Sequence, residues 1–210
     1  MAQPSVLQTN NAISSKTSLT RSLRWRVVDI AVGAALGVMA GVVSWIFDNV
    51  SYGIFPMLTL ILPGSAALLH ALWYFQATLG LLILRKPGAA IYVVMVGAFA
   101  EAVLGTKYSV SFLLPALLQA LSAEAVFGAF RYRRWTLGVT VLAACAIAVV
   151  YNFYLMTFYY QSFTFFSPRG IIGTICELIS GVVFAGFGSW WLYRAVAKAG
   201  VLDRFASGRE

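Results

Sequence analysis

Residues 27–47 read VVDIAVGAALGVMAGVVSWIF. The run meets the roughly 20 residues that a helix needs to cross about 30 Å of hydrocarbon. It follows the basic cluster Arg21, Arg24 and Arg26. A cleaved leader has an apolar segment of only about 7–15 residues and a small-residue cleavage site. This run is longer and lacks such a site, so it reads as a first spanning helix.

The rest of the chain repeats the pattern. Further apolar runs cover about 63–84, 88–105, 110–130, 135–158 and 171–193. The stretch 48–62 is half apolar, carries Gly53 and Pro56 and runs into Pro63 and Gly64, so it reads as an ordered outer loop or a partly re-entrant segment. Of the 210 residues, 60% are hydrophobic and 10% charged, with mean hydropathy +0.83. Soluble domains carry roughly 25% charged residues. Alternating ten-residue strands are missing from the pattern, which argues against an outer-membrane barrel. The expected fold is an all-α integral membrane protein with six transmembrane helices. Residues 1–23 form a disordered cytoplasmic tail, 24–198 the membrane domain and 199–210 a second cytoplasmic tail. Cys145 and Cys176 lie inside apolar runs and read as small packing residues.

Net charge +8 has a topological explanation. With six spans, thirteen of the fifteen Lys and Arg residues fall on one side, leaving Lys107 and Arg169 on the other. Basic residues accumulate on the cytoplasmic face. Both termini are therefore expected in the cytoplasm of a prokaryotic cell, with the chain in its inner or cytoplasmic membrane, and no nucleic-acid partner is needed.

Polar residues in the spans then acquire depths, at a rise of about 1.5 Å per residue. Glu101 lies ~6 Å from the outer end of its helix, Glu177 and Asn152 ~9 Å, His70 ~10 Å and Gln119 ~14 Å. They come from five helices and occupy one outer layer, together with Trp45, Trp73, Tyr74, Tyr108, Tyr151 and Tyr154. Intramembrane ionisable groups are costly and default to functional sites. Carboxylates, an amide, an imidazole and aromatic faces describe a ligand pocket open to the outside, suited to a cationic or amine-bearing ligand. The ordinary alternatives are an interfacial aromatic belt and interhelical hydrogen bonds. Glu124 lies near the inner end of the fourth run, where it either pairs with cytoplasmic arginines or floors a deep pocket.

Gly33, Gly37 and Gly41 repeat at i+4 in the first run, beside Ala31 and Ala35. Small-residue stripes let another helix approach closely, inside the bundle or from a separate subunit. No Walker motif is present, since GTKYS at 105–109 lacks the required spacing. A single histidine excludes most His-based zinc sites. GFGS at 186–189 sits too far from His70 to act as a serine nucleophile. No enzymatic activity and no cofactor are expected.

Two stretches carry a family resemblance: LRKPGAAIY at 84–92 with Glu101 downstream in EAVLG, and LLQALSAEAVFGAFRYRRW at 117–135. With the small-residue first helix, they resemble the YkoE family, substrate-binding (S) components of energy-coupling factor transporters. The resemblance spans most of 24–198 and is strongest from Arg85 to Trp135. It implies a receptor for thiamine or its hydroxymethylpyrimidine precursor, working with a transmembrane coupling subunit and two ATP-binding subunits. It also implies that the Ala31–Gly41 surface docks the coupling subunit, and it assigns Glu101, Gln119 and Glu124 to the ligand. Trp45, His70, Tyr74, Tyr108, Asn152 and Glu177 join them as ligand candidates on depth and chemistry alone. The competing class is a small-solute facilitator or channel acting alone, which would need a polar path through the inner half.

Overall fold

The computed structural model describes residues 23–160, 164–200, 202 and 207, and these form six helical rods. Helix α1 runs Val27–Ile61. A 3-10 turn, Ser65–Leu69, leads into α2, Ala71–Leu84. Then come α3, Ala89–Leu104, and α4, Leu113–Ala129, the latter entered through a second 3-10 turn, Ser109–Phe112. Helix α5 is Leu137–Phe158. The last rod is continuous: α6, Pro168–Ser180, a π-helical stretch, Gly181–Gly188, and α7, Ser189–Lys198. Four rods are long and apolar enough to cross a membrane, while α3 and α4 are shorter apolar helices.

Helix α2 is the central rod. Every residue from Gln76 to Leu84 is buried, as expected of a helix that is apolar all round. It ends at Arg85, whose φ of 51° reverses the chain, and α3 begins after Gly88 at φ 82°. Pro87 lies in this turn, and its carbonyl accepts from Trp25 Nε1 at 3.0 Å.

The stretch 48–62 departs from expectation. It continues α1 for more than three turns, through Pro56, and stops only at Pro63–Gly64. Pro56 lacks an N–H, so the Tyr52 carbonyl loses its helical donor. Proline is tolerated inside membrane helices where neighbouring groups, water or a local adjustment of the helix satisfy the freed carbonyl.

The small-residue stripe is also corrected. Gly33, Gly37 and Gly41 are buried, and α1 packs most extensively on α3 there. A Cβ on Gly37 would stand 2.7 Å from the Val93 carbonyl oxygen, and one on Gly41 would meet the Gly97 carbonyl. The glycines therefore serve contact within the bundle and leave no room for a separate subunit. Ala31 and Ala35 lie on the exposed side of the same helix.

The basic end is closed by polar ties. Asp29, fully buried, pairs with Arg26 at 3.0 Å and Lys86 at 3.7 Å, and Lys86 Nζ donates to the Arg24 carbonyl at 2.8 Å. Arg85 lies 5.7 Å from the Trp135 ring and 5.6 Å from that of Tyr193, whose hydroxyl it reaches at 2.8 Å. Ser207 Oγ donates to the Ile83 carbonyl and Leu202 is buried, so this part of the 199–210 tail is docked on the bundle. The expected tail at 1–23 lies outside the described residues except for Leu23.

Candidate functional site

At the opposite end of the bundle five rods enclose a cavity of about 180 Å³. Each wall follows from a helical spacing. Ser44, Asp48 and Phe55 share one face of α1; His70, Trp73 and Gln76 start α2; Ala98 and Glu101 end α3. Phe112, Pro115, Ala116 and Gln119 open α4, and Tyr151, Tyr154 and Leu155 close α5 with Tyr159 and Tyr160 beyond it. Trp73 is the hub of the aromatic wall. Its ring centroid lies 5.0 Å from Phe47, 5.7 Å from Phe55, 5.6 Å from His70 and 6.1 Å from Tyr108.

Two carboxylates sit together on this wall. Asp48 is 1% exposed; it accepts from Trp73 Nε1 at 2.7 Å and from the Thr106 hydroxyl at 3.1 Å. Glu101, 6% exposed, stands against both Asp48 and Thr106. Two more polar atoms at the wall, Gln76 Oε1 and Ser44 Oγ, are buried without a partner among the described residues, while Gln76 Nε2 donates to the Trp73 carbonyl at 3.0 Å. A buried acceptor left without a donor costs about 1–3 kcal/mol. The protein thus leaves part of this wall unsatisfied.

Behind His70 lies a second, smaller cavity of about 90 Å³, bordered by Asn152, Arg169, Gly173 and Glu177. His70 Nδ1 lies 2.5 Å from Glu177 Oε2, and the Tyr74 hydroxyl donates to Glu177 Oε1 at 3.0 Å. Asn152 Nδ2 donates to Thr174 Oγ1 at 2.9 Å.

The sequence-based candidates divide on this geometry. Glu101, Gln119, His70 and Tyr108 line the main cavity. Glu177 and Tyr74 stand behind His70, and Asn152 borders only the smaller chamber. Trp45 lines neither cavity; its carbonyl accepts from Asn49. Glu124 lines neither cavity. Its Oε1 accepts from the Ala90 N–H at 2.8 Å, capping the start of α3, and its Oε2 accepts from Tyr132 at 2.7 Å. Burial, and then this carboxylate, hold the Tyr132 phenol above its ordinary value, so it remains a donor. Asp48 was missed because 48–62 read as a loop. The signal was present: Asp48 continues the stripe of Gly37, Gly41 and Ser44 at helical spacing.

Comparison with known proteins bears on the chain as a whole. A protein of Bacillus subtilis (strain 168), named as an HMP/thiamine permease protein, YkoE, is 28% identical over 190 residues, which cover 89% of this chain and 92% of the relative. A crystal structure of an S-component of an ECF transporter superposes with TM-score 0.80 at 26% identity, over 89% of this chain and 92% of that one. These likenesses identify a substrate-binding membrane subunit of a transporter, not an enzyme. The profile of the family described as ABC-type cobalt transport system, permease component, matches residues 28–150, more than half of the chain, and the protein belongs to that family.

Proposed function

We propose that the protein captures thiamine or its hydroxymethylpyrimidine precursor from outside a prokaryotic cell, as a six-span receptor with its basic end and both termini in the cytoplasm. It hands the ligand to an importer made with a transmembrane coupling subunit and two ATP-binding subunits. The observation that carries this reading is the main cavity: an aromatic enclosure with two adjoining carboxylates, at the end opposite the basic cluster of Arg26, Arg85 and Lys86. An aminopyrimidine offers an amine donor to Asp48 or Glu101 and ring acceptors to the Gln119 amide. A thiazolium ring is cationic and stacks on Trp or Tyr faces.

Two other readings fare worse. A facilitator needs a polar path inward, but below the cavity the centre is filled by Ala77, Leu81, Val93, Ala120, Phe127 and Ile147. The family description names cobalt, yet among the described residues no three His, Cys, Asp or Glu side chains converge to hold a metal ion. Ala31 and Ala35, exposed beside Val38 and Met39, offer the coupling subunit the face that the buried glycines do not.

Calorimetry of the purified protein against thiamine, hydroxymethylpyrimidine, other vitamins and Co²⁺ tests the assignment. Heat from the first two alone is expected; binding of Co²⁺ in their place refutes it. In liposomes without partners, binding without sustained flux separates a receptor from a facilitator.

A further inference from the structure

We propose that Glu177 is a positioning residue. It holds the imidazole proton of His70 on Nδ1, leaving Nε2 as a hydrogen-bond acceptor on the cavity wall, so the site selects ligands with an amine or hydroxyl donor at that point. The selection step rests on the main cavity being the ligand site.

Glu177 is fully buried and both of its oxygens are engaged. A phenol has one hydrogen, and Tyr74 places it toward Oε1. With the Tyr74 hydroxyl donating to Oε1, Oε2 accepts as well in this proposal, which puts the hydrogen on the ring nitrogen 2.5 Å away. In a neutral imidazole the other nitrogen is then an acceptor. Among the described residues no protein group bonds Nε2, although His70 is only 4% exposed and stands between the two cavities, lining both.

The ring is also held in place. It packs against Phe55 at 5.6 Å, Trp73 at 5.6 Å and Tyr151 at 5.7 Å. The chain beside it is clamped to α6, because the Ala71 N–H donates to Ser180 Oγ at 3.0 Å. Glu177 and Ser180 stand three residues apart on one face of α6. One helix face therefore fixes both the position of His70 and the hydrogen it carries. No motif in the sequence reports this, since Glu177 and His70 are 107 residues apart.

The chain has one histidine, so protein labelled with ¹⁵N-histidine gives a single pair of ring signals. The spectrum is recorded at pH 8, above the ordinary imidazole value of about 6.5. Wild-type protein should show a protonated Nδ1 and an unprotonated Nε2. A ring protonated on Nε2, alone or together with Nδ1, overturns the proposal. Glu177→Gln should mix the two tautomers, because an amide can donate as well as accept. In parallel, hydroxymethylpyrimidine is compared with one analogue lacking the amine and one lacking the hydroxyl. Wild type should discriminate against one of them by about tenfold, the scale of one hydrogen bond. That discrimination should collapse in folded Glu177→Gln; unchanged discrimination overturns the proposal. If wild type binds none of the three, the pyrimidine assignment fails, while the spectrum still decides the role of Glu177. If the variant does not fold, the wild-type spectrum decides alone.

Discussion

Asp48 and Glu101 adjoin on one wall, and among the described residues neither has a basic partner there. A cation or amine in the cavity supplies the missing counter-charge. Charge-assisted hydrogen bonds contribute roughly 1.5–3 kcal/mol, so Glu101→Gln should weaken binding about ten- to a hundredfold while the fold survives. Asp48→Asn should act in the same direction, since it removes the charge while Trp73 still donates to the amide oxygen and the Thr106 hydroxyl turns to accept from the amide nitrogen. Titration of both variants with thiamine is the measurement, and unchanged affinity in folded protein would assign the pair to the bundle. Glu124→Ala should do the opposite. It removes the cap of α3 and the Tyr132 acceptor, at a cost of about 1–3 kcal/mol, and should lower the thermal midpoint with affinity intact. Depth set the two glutamates apart in the sequence and the family resemblance grouped them again as ligand candidates, but neither depth nor resemblance names a partner. Glu101 faces a cavity, whereas Glu124 meets a backbone N–H from 34 residues away.

The six rods were legible because apolar runs of spanning length have few other uses. Their ends were less so. Pro56 and Gly53 suggested a break, yet the run around them was apolar enough for α1 to continue to Ile61, and Asp48 went unnoticed as a result. The glycine stripe shows a different limit: small residues at i+4 mark a close helix approach without saying whose helix approaches. Gly37→Leu puts a side chain against the Val93 carbonyl, and overpacking of this kind costs about 1–3 kcal/mol or more. It should lower stability and ligand binding together. Ala35→Leu, on the exposed side of α1, should leave both unchanged and reduce co-purification of the coupling subunit. Melting curves, titrations and pull-downs of the two variants distinguish an internal seam from a docking face.

At the scale of the whole molecule the two ends have different tasks. The basic end is tied shut by Asp29, Lys86 and Arg85, and the other end is hollow. If the basic end is cytoplasmic, a single cysteine at Lys107 should react with an impermeant reagent on intact cells, and one at Ala199 only after permeabilisation. The background for both lacks Cys145 and Cys176. Labelling of position 199 from outside would invert the topology and put the cavity on the wrong face.

Helix α1 carries a further consequence. Its 35 residues extend about 52 Å, against roughly 30 Å of hydrocarbon. The far turns bear Met57, Leu60 and Ile61 at 67%, 87% and 81% exposure, and Phe55 on these same turns forms part of the cavity wall. Mismatch between helix and bilayer costs fractions of a kcal/mol per ångström. Bilayer thickness is therefore expected to bear on this part of the cavity wall. Thin bilayers leave the overhang in water and tilt it over, whereas thick ones sheathe it upright. Affinity measured in nanodiscs of increasing lipid chain length should change steadily with thickness, making the membrane itself a regulator of capture.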